Sequence, residues 1–227
     1  SFLPALLFGV AFANIFKGIP FDGEGIYYGS VTGLLNPYGL VGGLLFVALF
    51  LFHGALWTAA SVEGPLKERT LRSAMRLWFP LCVLAVAFLG LSASVTSLWE
   101  NYAAYPWLWV LPVLCVIALL LAGHFTKRGA PARASSFSFV IVGTAVLFGV
   151  AGLYPALLPS SLAPQFGLTT ANAASSPLSL KIMLVVALVV VPIVILYQGW
   201  VYFLFRRKPG EIPAQGGTAG VQADQRY

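Results

Sequence analysis

Long apolar runs separated by short polar segments dominate the hydropathy pattern of this chain. Six runs cover roughly residues 1–17, 38–61, 76–98, 105–123, 136–157 and 178–204. A helix that crosses a membrane needs about 20 apolar residues, and each run meets or approaches that length, the first being short. The runs lack the alternation expected of membrane strands, so no strands are predicted. The pattern predicts an all-α, polytopic integral membrane bundle with six transmembrane helices.

The composition supports the same class. Of the 227 residues, 59% are hydrophobic and only 9% are charged, whereas about a quarter of the residues in a soluble domain are charged. The apolar excess must therefore face a lipid bilayer. The formal net charge of +6 comes from short basic clusters between apolar runs, so it indicates topology rather than nucleic-acid binding.

The charges of the polar segments alternate along the chain. Basic residues concentrate in segments 62–76 and 124–135 and just after the last helix, whereas segments 18–37 and 99–104 carry carboxylates. The positive-inside rule places the basic segments and both chain ends in the cytoplasm. Residues 207–227 are polar and rich in glycine, alanine and glutamine, which predicts a disordered cytoplasmic tail after a transmembrane domain of residues 1–206.

Three ionisable side chains stand out as candidates for a structural or proton-path role: His53, Glu63 and Lys181. His53 interrupts the apolar stretch "LFVALFLFHGALW". It could ligate a haem, relay protons toward Glu63, which would share its helical face if the helix continued ten residues further, or donate a hydrogen bond to a facing helix. The hydrogen bond is the favoured interpretation. Lys181, near the outer end of the last helix, could extend to the interface or pair with a carboxylate such as Asp22 or Glu100.

These residues do not compose an active site. No motif for nucleotide binding, zinc hydrolysis or a nucleophilic serine is found, and no catalytic, cofactor-binding or metal-ligating residue is predicted. A membrane transporter or permease subunit is an alternative, disfavoured because paired charges near the midplane are lacking. The chain opens inside an apolar run without an initiator methionine, so we expect it to be a piece of a longer protein.

Three segments resemble subunit II of the cytochrome bd-type quinol oxidases: "SFLPALLFGVAFANIFKGIP", "LLNPYGLVGGLLFVALFLFHGALWTAASVEGPLKER" and "NAASSPLSLKIMLVVALVVVPIVILYQGWVYFLF". The resemblance implies nine helices in the full protein, three of them ahead of Ser1. It also implies a related subunit I that holds haem b and haem d mainly by itself, and it allows a small accessory membrane subunit.

The same resemblance implies an activity for the heterodimer, which would oxidise quinol on the outer side and reduce oxygen with protons taken from the cytoplasm. This chain would then be a non-haem-ligating subunit, inactive alone and binding no cofactor by itself. The expected location is the cytoplasmic (inner) membrane of a bacterium or archaeon, with multiple spans and a cytoplasmic C-terminus.

Overall fold

A computed structural model describes residues 2–204 of the chain. The predicted disordered tail, residues 207–227, lies outside the described residues. The chain divides into two units, residues 1–174 and residues 175 onward, which are described separately below.

The first unit is built mainly of helices. Its α-helices are α1 (Phe2–Lys17), α2 (Val31–Leu34), α3 (Pro37–Ser61), α4 (Pro65–Val95), α5 (Leu98–Ala104), α6 (Val110–Lys127) and α7 (Pro131–Leu153). Turns of 3-10 helix lie at Pro106–Trp109 and Pro164–Phe166. The second unit contains α8 (Pro177–Leu204). The predicted all-α, polytopic class is confirmed.

Five helices are long and apolar enough to cross a membrane: α3, α4, α6 together with the 3-10 turn before it, α7 and α8. The first predicted span corresponds to α1, a shorter apolar helix of 16 residues. Each of the six predicted apolar runs therefore overlaps a helix, but only five of those helices have the length of a full span.

Helix α4 begins eleven residues before the apolar run that predicted it, at Pro65 rather than at residue 76. Gly64 adopts a φ of +73°, which turns the chain sharply, and Pro65 then occupies the first helical position, where its missing N–H costs nothing. Glu68 and Arg72 follow with the spacing of neighbours on a helix face. A hydropathy pattern marks where a helix enters lipid, whereas the helix itself starts in the polar segment.

Helix α7 ends at Leu153, although the apolar run continues to residue 157. Pro155 explains the difference, because a proline disfavours helical conformation in the residue before it. The chain then forms two short antiparallel strands, β1 (Ala156–Leu158) and β2 (Leu168–Thr169). The expectation of no strands is wrong for this loop.

The core of the first unit lies between α3, α4, α6 and α7. Its almost fully buried members are Phe52, Leu56, Ala74, Leu81, Ala118, Ala122 and Ala134. Helix α1 packs against α3 through glycines: a Cβ atom built on Gly9 would lie 2.5 Å from the carbonyl oxygen of Gly42 and 2.7 Å from the Cα of Gly43. The two helix backbones are therefore in direct contact, as small residues in membrane helices permit.

Candidate functional site

His53 lies on α3 and forms a hydrogen bond to α7. Its Nδ1 atom is 2.8 Å from the hydroxyl oxygen of Ser138, and that hydroxyl donates to the carbonyl of Ser135 at 2.7 Å. The single hydroxyl proton of Ser138 is thus used, so Nδ1–H of His53 is the donor in their bond. The imidazole and the ring of Phe139 pack nearly perpendicular to each other, with the centroids 4.7 Å apart.

The environment of His53 contains the kind of partner that the hydrogen-bond interpretation requires. Ser138 is fully buried and His53 is half-buried. The bond joins α3 to α7 through two residues that lie 85 positions apart in the sequence. Ser135, one turn earlier on α7, has a buried hydroxyl without a partner among the described residues. The polar groups here form a small cluster inside the bundle: His53, Ser138 and Ser135.

Glu63 does not extend the helical face of His53. Helix α3 ends at Ser61, and Glu63 lies two residues further on, exposed in the connection to α4. The relay interpretation assumed a helix that continues through residue 63, and that premise is wrong.

Lys181 lies on α8, four residues after Pro177, and is exposed within the second unit. Of its two suggested partners, Glu100 lies in the first turn of α5, and Asp22 forms hydrogen bonds within its own loop. The pairing of Lys181 stays a prediction.

A polar network at the junction of α1 and α3 is more extensive than the sequence indicated. The amide nitrogen of Asn14 donates to the carbonyls of Val10 and Leu34, both at 2.8 Å, while its oxygen accepts from Asn36 at 2.7 Å. Asn36 also caps α3, since its oxygen accepts from the amide of Gly39 at 2.9 Å. The Asn-Pro pair at the start of α3 signals the cap, but only the fold reveals its connection to Asn14.

A second polar junction closes the end of α7. The side-chain nitrogen of Asn101 donates to the carbonyls of Ala151 at 3.0 Å and Gly152 at 3.1 Å, and also to that of Tyr154. The hydroxyl of Tyr102 donates to Phe148 at 2.9 Å, and burial raises the pKa of Tyr102 to about 12. The free carbonyls at a helix end thereby obtain donors from α5.

The loops at this same end of the bundle contact each other. The amide of Ile19 donates to the carbonyl of Pro159 at 3.1 Å, and the amide of Ser161 donates to Ile19 at 3.0 Å. A cavity of about 300 Å³ lies beside them, with Asp22 in its lining. The hydroxyl of Tyr28, 2.8 Å from the Asp22 carboxylate, and the amide of Ile26 hold the pKa of that carboxyl below its usual range.

Among residues 2–204, no group of three or more histidine, cysteine or acidic side chains could hold a metal ion. Nδ1 of His53 forms its hydrogen bond with Ser138, and no histidine lines the cavity beside Ile19. The polar groups that the fold brings together connect helices to each other.

These features define a multi-pass membrane protein whose buried polar side chains join its helices. The chain belongs to the cytochrome bd terminal oxidase subunit II family, whose family model matches residues 1–205. It is 30% identical to the cytochrome bd ubiquinol oxidase subunit 2 of Bacillus subtilis, over 92% of this chain and 61% of that protein. It is 31% identical to the cytochrome bd-I ubiquinol oxidase subunit 2 of Escherichia coli, over 89% of this chain and 62% of that protein.

The chain thus spans about three fifths of the length of the curated relatives it matches. The resemblance inferred from the three quoted segments is confirmed by the family match. The alternative of a transporter or permease subunit receives no support from these comparisons.

Proposed function

We propose that this chain is the larger part of subunit II in a bd-type quinol:oxygen oxidoreductase. The observation that supports the proposal is the family match over residues 1–205, together with relatives named as ubiquinol oxidase subunits. Its partner is a subunit I that carries haem b and haem d, and quinol is the substrate of the complex.

The complex belongs in the cytoplasmic membrane of the cell, with the C-terminus of this chain in the cytoplasm. The basic first turns of α4 and the basic end of α6 support that orientation through the positive-inside rule. Protons for oxygen reduction are then taken up from the side on which α3 and α6 end.

Isolation of the complex through a tag on the full-length subunit tests the proposal. We expect a reduced-minus-oxidised spectrum with haem b and haem d bands, and oxygen consumption that depends on added quinol. The matched control is the same subunit expressed without subunit I, which we expect to carry no stoichiometric haem. A colourless complex, or haem bound to the isolated subunit, would refute the proposed division of roles.

We further propose that His53 has a structural role in this complex. An interhelical hydrogen bond in a membrane contributes about 0.6 kcal/mol on average and at most about 2 kcal/mol. His53→Gln keeps a donor in reach of Ser138 and is expected to preserve assembly, haem content and turnover. His53→Leu and Ser138→Ala each remove the bond and are expected to reduce the amount of assembled complex to a similar degree.

The proton-relay interpretation of His53 makes a different prediction for the same variants. A relay needs a group that takes up and releases a proton, which glutamine cannot do near neutral pH. If His53→Gln assembles fully with normal haem but loses oxygen consumption, the relay interpretation replaces the structural one. Glu63→Gln tests whether a proton relay from His53 would run through Glu63. Because Glu63 is exposed in the connection between α3 and α4, we expect this variant to leave turnover unchanged.

A further inference from the structure

A groove lies between the first turns of α4 and the last turn of α6. Its volume is about 500 Å³, and residues of both helices line it. The members that matter below are Arg72, Arg76, Lys127, Glu68, Leu71 and Met75. We refer to this feature as the basic groove.

The charge of the basic groove is unbalanced. Three cations face one carboxylate, and that carboxylate, Glu68, lies 3.6 Å from Arg72 in an ion pair whose side chains are 63% and 74% exposed. Exposed pairs of this kind contribute little, so Arg72 is only weakly held. Within residues 2–204, Arg76 has no acidic partner within ion-pair distance. The groove therefore favours an anion.

The basic groove lies where the two helices enter the membrane. Arg76 is the last charged residue of α4, and the next charged residue along the chain is Glu100. Lys127 is the last residue of α6, after 17 residues without a lysine or arginine. Leu71 and Met75, both half-buried, form an apolar wall between these cations. This combination places charge at headgroup level and apolar surface beside it.

The spacing of the two helices beside the groove is fixed by Trp78. Its indole N–H donates to the carbonyl of Leu119 at 2.9 Å, and its ring lies against Gly123, where a Cβ atom would overlap it. The ammonium of Lys127 lies 5.5 Å from the centre of the same ring. The groove is therefore formed by packing within the chain, before any ligand binds.

We propose that the basic groove binds the headgroup of an anionic phospholipid from the adjoining leaflet. The guanidinium groups of Arg72 and Arg76 can each take two phosphate oxygens, and Lys127 supplies a point charge. Basic pockets between transmembrane helices are suited to such headgroups, and the acyl chains would continue along the lipid-facing surface of α4. The proposal depends on the membrane-spanning fold and not on the oxidase activity.

Native mass spectrometry of the delipidated complex tests the proposal. The probes are dioleoyl phosphatidylglycerol and, as the neutral comparison, dioleoyl phosphatidylcholine. We expect the double variant Arg76→Gln/Lys127→Gln to weaken phosphatidylglycerol binding about 30-fold, at roughly fivefold per cation removed. The matched control, Lys67→Gln/Arg69→Gln, removes the same amount of charge from the first turns of α4, outside the groove, and we expect less than a fivefold change.

A variant that is expected to strengthen lipid binding shows that weaker binding by the double variant does not result from misfolding. Glu68→Gln removes the carboxylate from the groove and releases Arg72, so we expect it to tighten phosphatidylglycerol binding by up to about fivefold. Equal weakening by both double variants would mean diffuse attraction and would overturn the site.

Two further outcomes would also overturn the proposal. If glycerol 3-phosphate binds as tightly as phosphatidylglycerol, the ligand is a soluble phosphate compound. If an acidic segment of another subunit cross-links to position 76 in intact membranes, the groove is a protein interface.

Discussion

Replacement of Gly9 by alanine introduces one methyl group at the closest approach of α1 and α3. The new Cβ atom would lie 2.5 Å from the carbonyl oxygen of Gly42, 2.7 Å from the Cα of Gly43 and 2.8 Å from the Cβ of Phe46. Two of these neighbours are backbone atoms, which cannot turn away as a side chain can. The helices must therefore separate by several tenths of an ångström.

The magnitude follows from two opposing terms. Overpacking of a tight contact costs about 1–3 kcal/mol, whereas alanine in a helix is more favourable than glycine by about 0.8–1 kcal/mol. Gly54→Ala in α3 and Gly90→Ala in α4 are matched controls, because a Cβ at either position meets nothing within 4 Å. The difference between Gly9→Ala and these controls isolates the contact, and we expect it to be about 2 kcal/mol.

The assay is unfolding of the full-length protein in mixed micelles by sodium dodecyl sulfate, followed by tryptophan fluorescence. We expect Gly9→Ala to be less stable than the unsubstituted protein and the two controls to be equally or more stable. If Gly9→Ala unfolds together with the Gly54→Ala control, the backbones of α1 and α3 are not in direct contact and the reasoning fails.

Three further predictions concern the polar groups and the orientation. Asn14→Leu should destabilise the protein by about 1–2 kcal/mol, since it removes bonds to Leu34 and Asn36, as measured by the same unfolding assay. Because burial raises the pKa of Tyr102 to about 12, the folded protein resists ionisation of this hydroxyl, and the free energy of unfolding should fall as the pH rises from 10 toward 12. Tyr102→Phe has no hydroxyl to ionise, so on going from below pH 10 to pH 11 its free energy of unfolding should fall by about 1 kcal/mol less than that of the unsubstituted protein. Ser61→Cys should react with an impermeant maleimide only from the cytoplasm and Ser175→Cys only from outside; the reverse result would overturn the topology.

The sequence predicted the helices well where lipid determines the pattern. The apolar runs located α3, α6 and α8 because a spanning helix must be apolar over most of its length. The start of α4 at Pro65 was missed, since the polar turns before Arg76 carry no hydropathy signal. The strand at Ala156–Leu158 was missed because its pairing depends on a loop partner and not on alternation.

The sequence indicated that His53 needs a hydrogen-bonding group on a facing helix, but it could not identify which residue supplies that group. An isolated histidine in an apolar helix requires some hydrogen-bonding group, and the sequence alone supported a bond to a facing helix. Ser138 could not be identified, because its position opposite His53 depends on how α3 and α7 cross. The connection of Asn14 through Asn36 to the cap of α3 likewise required the three-dimensional structure.

The distribution of helix contacts has a consequence for the order in which the protein forms in the membrane. Helix α1 packs on α3, α3 on α4, and α6 on α7, so most contacts join helices that leave the insertion machinery one after another. Two other sets of contacts join helices that are separated in the chain by at least one further helix. They are the α3–α7 contacts, with the His53–Ser138 bond, and the α4–α6 contacts, with the Trp78–Leu119 bond. Contacts between distant parts of a chain form late because the intervening segment must first be closed. Two groups of helices, α1 with α3 and α4, and α6 with α7, would therefore assemble during synthesis, and these polar bonds would form when the two groups pack together.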